Sequence, residues 1–158
     1  RMTVQEAILE TLTDQYMEAA DKAPVFITDR TPVDLAAYTL ASIGCDTLQG
    51  SDERAKYVAD YIDRCILTAN RHFSVMIAVQ PGIPVEKVRE GKASSCPGFI
   101  AHLNAVVLGV LNDERCKFER AILLRSLLDL DARVENVASI VERNVKKWQA
   151  MSSEGKIH

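Results

Sequence analysis

The 158-residue chain lacks several features that would narrow its chemistry at once. Its four cysteines, Cys45, Cys65, Cys96 and Cys116, include no CxxC pair, and no histidine stands at metal-ligand spacing. A zinc site and a disulfide framework are disfavoured, and reduced structural thiols in a reducing cytosol are expected. No apolar run approaches membrane-span length and no signal peptide is visible, so a cytoplasmic protein without a membrane partner is expected. Positive charge is not in excess: 19 Lys+Arg against 22 Asp+Glu give −3, which supplies no overall attraction to nucleic acid or anionic membrane. Binding a polyanion would need a local basic patch. Repeats and low-complexity tracts are absent. The hydrophobic fraction of 47% and charged fraction of 26% are those of an ordinary globular domain. The length fits a single domain over residues 1–151, followed by a disordered tail at 152–158.

The elements present alternate. Thr3-Val4-Gln5-Glu6 reads as a capping box, opening a helix to about residue 21 on the stripe Val4, Ile8, Leu12, Tyr16. A second helix is expected over residues 32–43. A third starts at Ser51-Asp52-Glu53 and runs to about residue 72 on Val58, Ile62, Ile66 and Ala69. Phe73–Val79 is the clearest strand, a nearly continuous apolar run of the kind buried in parallel sheets. Residues 80–96 read as a long irregular segment carrying Lys87, Arg89 and Lys92, then a helix at 97–112, a strand at 120–125 and a final helix at 129–151. Such alternation predicts a three-layer α/β domain, a parallel sheet flanked by helices.

The most informative stretch is Pro24 to Asp34. Val25 to Thr28 are apolar or β-branched and predict a short buried strand. Asp29-Arg30 follow where a parallel strand would leave its sheet, and Thr31-Pro32 open the next helix. Open α/β sheets build ligand sites at the carboxyl ends of their strands. A buried strand accounts for Val25 to Ile27 but not for the Asp-Arg pair, which a surface ion pair alone would also explain.

The run Phe26 to Tyr38 resembles the "DR-S/T-P-x-D…AY" segment of P-loop nucleoside and nucleotide kinases, nearest to the small AAA-labelled kinase-like ATPases of bacteria and phages. Element order extends the resemblance over about residues 3–145. One departure is large. These kinases begin with a strand and a phosphate loop, GxxxxGK[ST], and this chain contains none. The fold implied is thus a P-loop kinase-like sheet lacking its first strand and phosphate loop, roughly forty residues by usual βαβ sizes. A cleaved or incompletely ordered kinase, a natural form that has lost ATP binding, and a misleading resemblance all fit that departure, and the first is favoured.

The resemblance implies ATP-dependent, magnesium-assisted phosphoryl transfer to a nucleoside, a nucleotide or the hydroxyl of a modified base, DNA included. Asp29 would take the proton of the attacking hydroxyl or hold the Mg2+ shell, and Arg30 would grip an acceptor phosphate in a bidentate fork. Arg89 would face the transferring phosphoryl group, with Lys92 beside the ATP cofactor. Asp34 and Tyr38 would add substrate contacts, although Asp34 also suits a helix first turn and Tyr38 the core. Arg120 and Arg125 suit edge charges, and His72 and His102 packing or solvation. Ser94-Ser95-Cys96 has no paired base and is rejected as a nucleophile. A homodimer is compatible with these features. A non-catalytic binding or assembly module, favoured by the missing phosphate loop, is the competing expectation.

Overall fold

A computed structural model describes residues 2–43, 52–82 and 96–153, and they are mixed α/β, mainly helical, with one two-stranded parallel sheet. In chain order the elements are α1 (Met2–Lys22), α2 (Pro32–Ser42), α3 (Asp52–His72), β1 (Val75–Val79), α4 (Pro97–Leu111), β2 (Glu119–Leu123) and α5 (Leu130–Ser153). They form two compact units.

The first unit holds α1 to α3, Phe73, α4 and the turn to Lys117. Its core lies among the helices: Leu9, Tyr16, Val33, Tyr61, Ile66 and Val110 are buried. The apolar stripe of α3 supplies a large share of it, with Val58, Ile62, Cys65 and Ala69 also enclosed. α2 starts where the sequence expects. Thr31 is extended at φ −131°, ψ 157°, Pro32 occupies the first turn, and a capping box closes with Asp34. α1 starts at Met2, ahead of the expected cap at Thr3, and Glu6 pairs with Arg64 of α3. After α4, Arg115 ion-pairs with Asp113 and with Asp63 of α3, while Asn70 accepts from the Lys117 amide and donates to the Arg115 carbonyl.

The second unit contains β1, β2 and α5. The two strands pair in parallel, from Val75 opposite Glu119 to Val79 opposite Leu123. Phe118, Met76 and Leu123 are buried, and α5 packs on both strands. Arg133, 7% exposed, donates to the carbonyls of Leu127 (2.6 Å), Gln80 (3.1 Å) and Leu124 (3.4 Å). Its guanidinium thus joins the exits of β1 and β2 to the start of α5. Gly82 lies against it: a Cβ there would stand 2.3 Å from the Arg125 carbonyl oxygen and 2.5 Å from Arg133 Nη2.

Two expectations change. Val25–Thr28 is not a strand, so the described sheet has two strands rather than three. α5 continues through Ser152 and Ser153, which shortens the expected tail. The expected strand at 120–125 is observed at 119–123.

Candidate functional site

The candidate site is the turn from Thr28 to Asp34, and most of its order comes from side chains. Phe26 stacks on Tyr16 with centroids 6.0 Å apart and meets Phe73 edge-on at 5.8 Å, while Tyr16 also meets Phe73 edge-on at 5.0 Å. These three rings pin the extended segment at its middle. Its flanking residues point outward: Val25 is 44% and Ile27 75% exposed. No backbone hydrogen bond involves Val25, Phe26 or Ile27 among the described residues. An extended conformation with the right side-chain alternation is therefore present, but no ladder is.

The next three residues form a tight turn. The Arg30 amide donates to Thr28 Oγ1 at 3.1 Å, a side-chain mimic of a backbone turn. The Arg30 carbonyl accepts from Thr28 Oγ1 at 3.2 Å and from the Tyr16 hydroxyl at 2.7 Å. Burial, then the nearby Asp34 charge, raises the Tyr16 phenol well above its ordinary range, so it stays a donor throughout the physiological pH range. His72 lies 5.8 Å from the Tyr16 ring; burial, then Arg71, lowers its pKa. His72 therefore has a packing role against the ring cluster, as expected.

Asp29 and Arg30 are exposed, and neither makes an ion pair among the described residues. The surface ion pair that would have explained them away is not formed. Asp34 differs: its Oδ2 accepts from the Thr31 amide at 2.9 Å and from Thr31 Oγ1 at 2.7 Å, and its own amide donates to Thr31 Oγ1 at 3.3 Å. This carboxylate is committed to the cap, and its part in the site is to fix the helix start behind Arg30. Tyr38, one turn further along α2, is 37% exposed. Arg89 and Lys92 lie outside the described residues.

The turn presents one carboxylate and one guanidinium with no ion-pair partner among the described residues, on a support held by hydrogen bonds and ring contacts. That set suits recognition of an oxyanion by Arg30 and proton acceptance by Asp29. It fits magnesium only as an ion held by Asp29 together with water and substrate phosphates, the usual manner for this cation. No group of three His, Cys, Asp or Glu that could hold a metal occurs among the described residues. It does not fit ATP: the sequence has no phosphate loop, and neither Asp29 nor Arg30 replaces a cradle of backbone amides. Among the described residues no helix is long and apolar enough to cross a membrane. Tyr16, Phe26, Thr28 and Phe73, which hold the turn, were not legible as site residues. Tyr16 read only as part of an apolar stripe, and the acceptor of its hydroxyl lies 14 residues away. Comparison of the chain with protein-family models, curated proteins and solved structures finds no match.

Proposed function

We propose that this chain carries the acceptor side of a kinase-like phosphoryl-transfer site in a P-loop-type three-layer α/β domain. The observation that carries the reading is the pair Asp29-Arg30, exposed, without an ion pair among the described residues, and held on a hydrogen-bonded turn at the start of a capped helix. The parallel pairing of β1 with β2 and the order of elements along the chain support it as well. The acceptor is a nucleoside, nucleotide or modified-base hydroxyl. Arg30 forks an acceptor phosphate and orients the hydroxyl, and Asp29 receives its proton. No step is assigned to the donor nucleotide, because the sequence contains no phosphate loop to cradle its phosphates.

Thermal unfolding in the presence of deoxynucleoside monophosphates and the matching nucleosides tests the assignment. A monophosphate at 100 times its Kd should stabilise the chain by about 2.7 kcal/mol, an effect that Arg30→Ala removes and Asp29→Asn leaves intact. Equal stabilisation by nucleosides, or no loss with Arg30→Ala, overturns the role of Arg30.

A second reading is a non-catalytic binding or assembly module, favoured by the missing phosphate loop and by the uncovered apolar face of α1. It predicts no response to any nucleotide.

A further inference from the structure

Among the described residues, α1 is held along one side. Leu9 and Tyr16 are buried, the Tyr61 hydroxyl donates to the Gln5 carbonyl at 3.0 Å, and Arg64 pairs with Glu6. Arg64 also lies 5.6 Å from the centre of the Tyr61 ring. These contacts make the helix a firm platform. Its other side carries an open, mainly apolar face formed by Val4, Ala7, Ile8, Thr11, Leu12 and Gln15. Val4 is 60% and Ile8 38% exposed. The positions recur at three- and four-residue spacing over about three turns, roughly 16 Å, which matches one face of a second helix.

Acidic residues run beside this face. Glu10, Asp14 and Glu18 follow at four-residue spacing, and the only basic residue of α1 is Lys22, which pairs with Glu18. Glu10 and Asp14 have no ion-pair partner among the described residues.

We propose that the outer face of α1 docks a basic amphipathic helix of a partner protein. The apolar side of the partner covers Val4, Ile8 and Leu12, and its Lys or Arg residues meet Glu10 and Asp14. Charge decides between occupants. An antiparallel second copy of α1 would set two acidic rows side by side, and like charges so placed are destabilising. An anionic lipid surface or a nucleic acid would be repelled by the same row. A strand is unsuited, because a helix has no free backbone ladder to share. The face is short against the ~1,200–2,000 Å² of a standard interface, so the complex is a transient one. This inference is independent of the phosphoryl-transfer reading.

The test uses the full chain and two synthetic 18-residue helical peptides with one leucine face, the polar face being lysine in one and glutamate in the other. Fluorescence anisotropy should show the lysine peptide binding at least tenfold tighter, with amide shift changes confined to residues 4–18. Ile8→Gln should weaken it about tenfold, and the double change Glu10→Lys with Asp14→Lys should reverse the preference between peptides. Val134→Gln, at an exposed apolar position of α5, should change nothing. Equal affinity for the two peptides, or shift changes away from α1, overturns the proposal. So does a concentration-dependent dimer that Ile8→Gln abolishes, which would make a second copy the occupant.

Discussion

Val25–Thr28 and Val75–Val79 are both short, extended and rich in β-branched or apolar residues, yet they are ordered by different means. β1 has a residue of β2 opposite each of its own, so its geometry is set by main-chain pairing. Val25–Thr28 has no such neighbour among the described residues, and its order comes from the rings of Phe26, Tyr16 and Phe73 and from the Thr28 turn. A ladder spreads its hold over every residue and is indifferent to side-chain identity at most of them. A side-chain anchor concentrates the hold in two or three positions and leaves the rest open to solvent. Asp29 and Arg30 follow a segment of the second kind, which fixes their backbone while leaving both charges free.

Substitutions can separate the two modes of order. The largest effect is expected from Phe26→Ala, which removes two ring contacts from a partly enclosed residue. A loss of about 2–3 kcal/mol in urea unfolding is predicted, somewhat less than for a fully enclosed phenylalanine. Ile27→Ala, one residue on, should stay within about 0.5 kcal/mol. Comparable losses at both positions would show that the segment is covered on both faces like a strand.

Tyr16→Phe should cost less, about 1 kcal/mol, because it deletes a single hydrogen bond to the Arg30 carbonyl. Its signature is local. Amide exchange at Arg30 should rise at least tenfold while the amides of β1 that pair with β2 keep their protection. An equal rise in β1 would mean that the substitution acts on global stability rather than on the turn.

The smallest effect is expected from acid, and it should fall on the paired strands. Lys147, and then Arg143, hold the carboxyl of Glu119 at the start of β2 below its ordinary range. A lowered carboxylate contributes stability above its unfolded value of about 4.3, and that contribution fades as pH falls through the folded value. Amide shifts at Glu119 and Val75 should therefore move below about pH 4.3 in the native protein and not in Glu119→Gln. Identical titrations in the two proteins would remove Glu119 as the titrating group.

Side-chain periodicity made the five described helices legible, because apolar positions three and four apart identify a helix without reference to its surroundings. β1 was legible for a related reason: its apolar run is bounded by Asn70-Arg71-His72 and Gln80-Pro81-Gly82. Val25–Thr28 has the same composition but did not become a strand. β propensity describes how a side chain suits a pleated surface, whereas a ladder needs a partner that local sequence does not specify. The Thr31 cap with Pro32 and Asp34 could be read from residues within four positions, whereas the Thr28 turn was read as the end of a strand. The hydroxyl of Tyr16, the ring of Phe73 and the carbonyl acceptors of Arg133 could not, since each joins residues far apart in the chain.

Arg133 has a kinetic consequence. Its acceptors are the carbonyls of Gln80, Leu124 and Leu127, so the nest that receives the guanidinium exists only once both strands have paired and α5 has begun. Interactions completed after the transition state act on the unfolding rate and hardly on the folding rate. Arg133→Met is therefore expected to shorten the lifetime of the finished second unit more than it slows its formation, which the two arms of a urea chevron would separate.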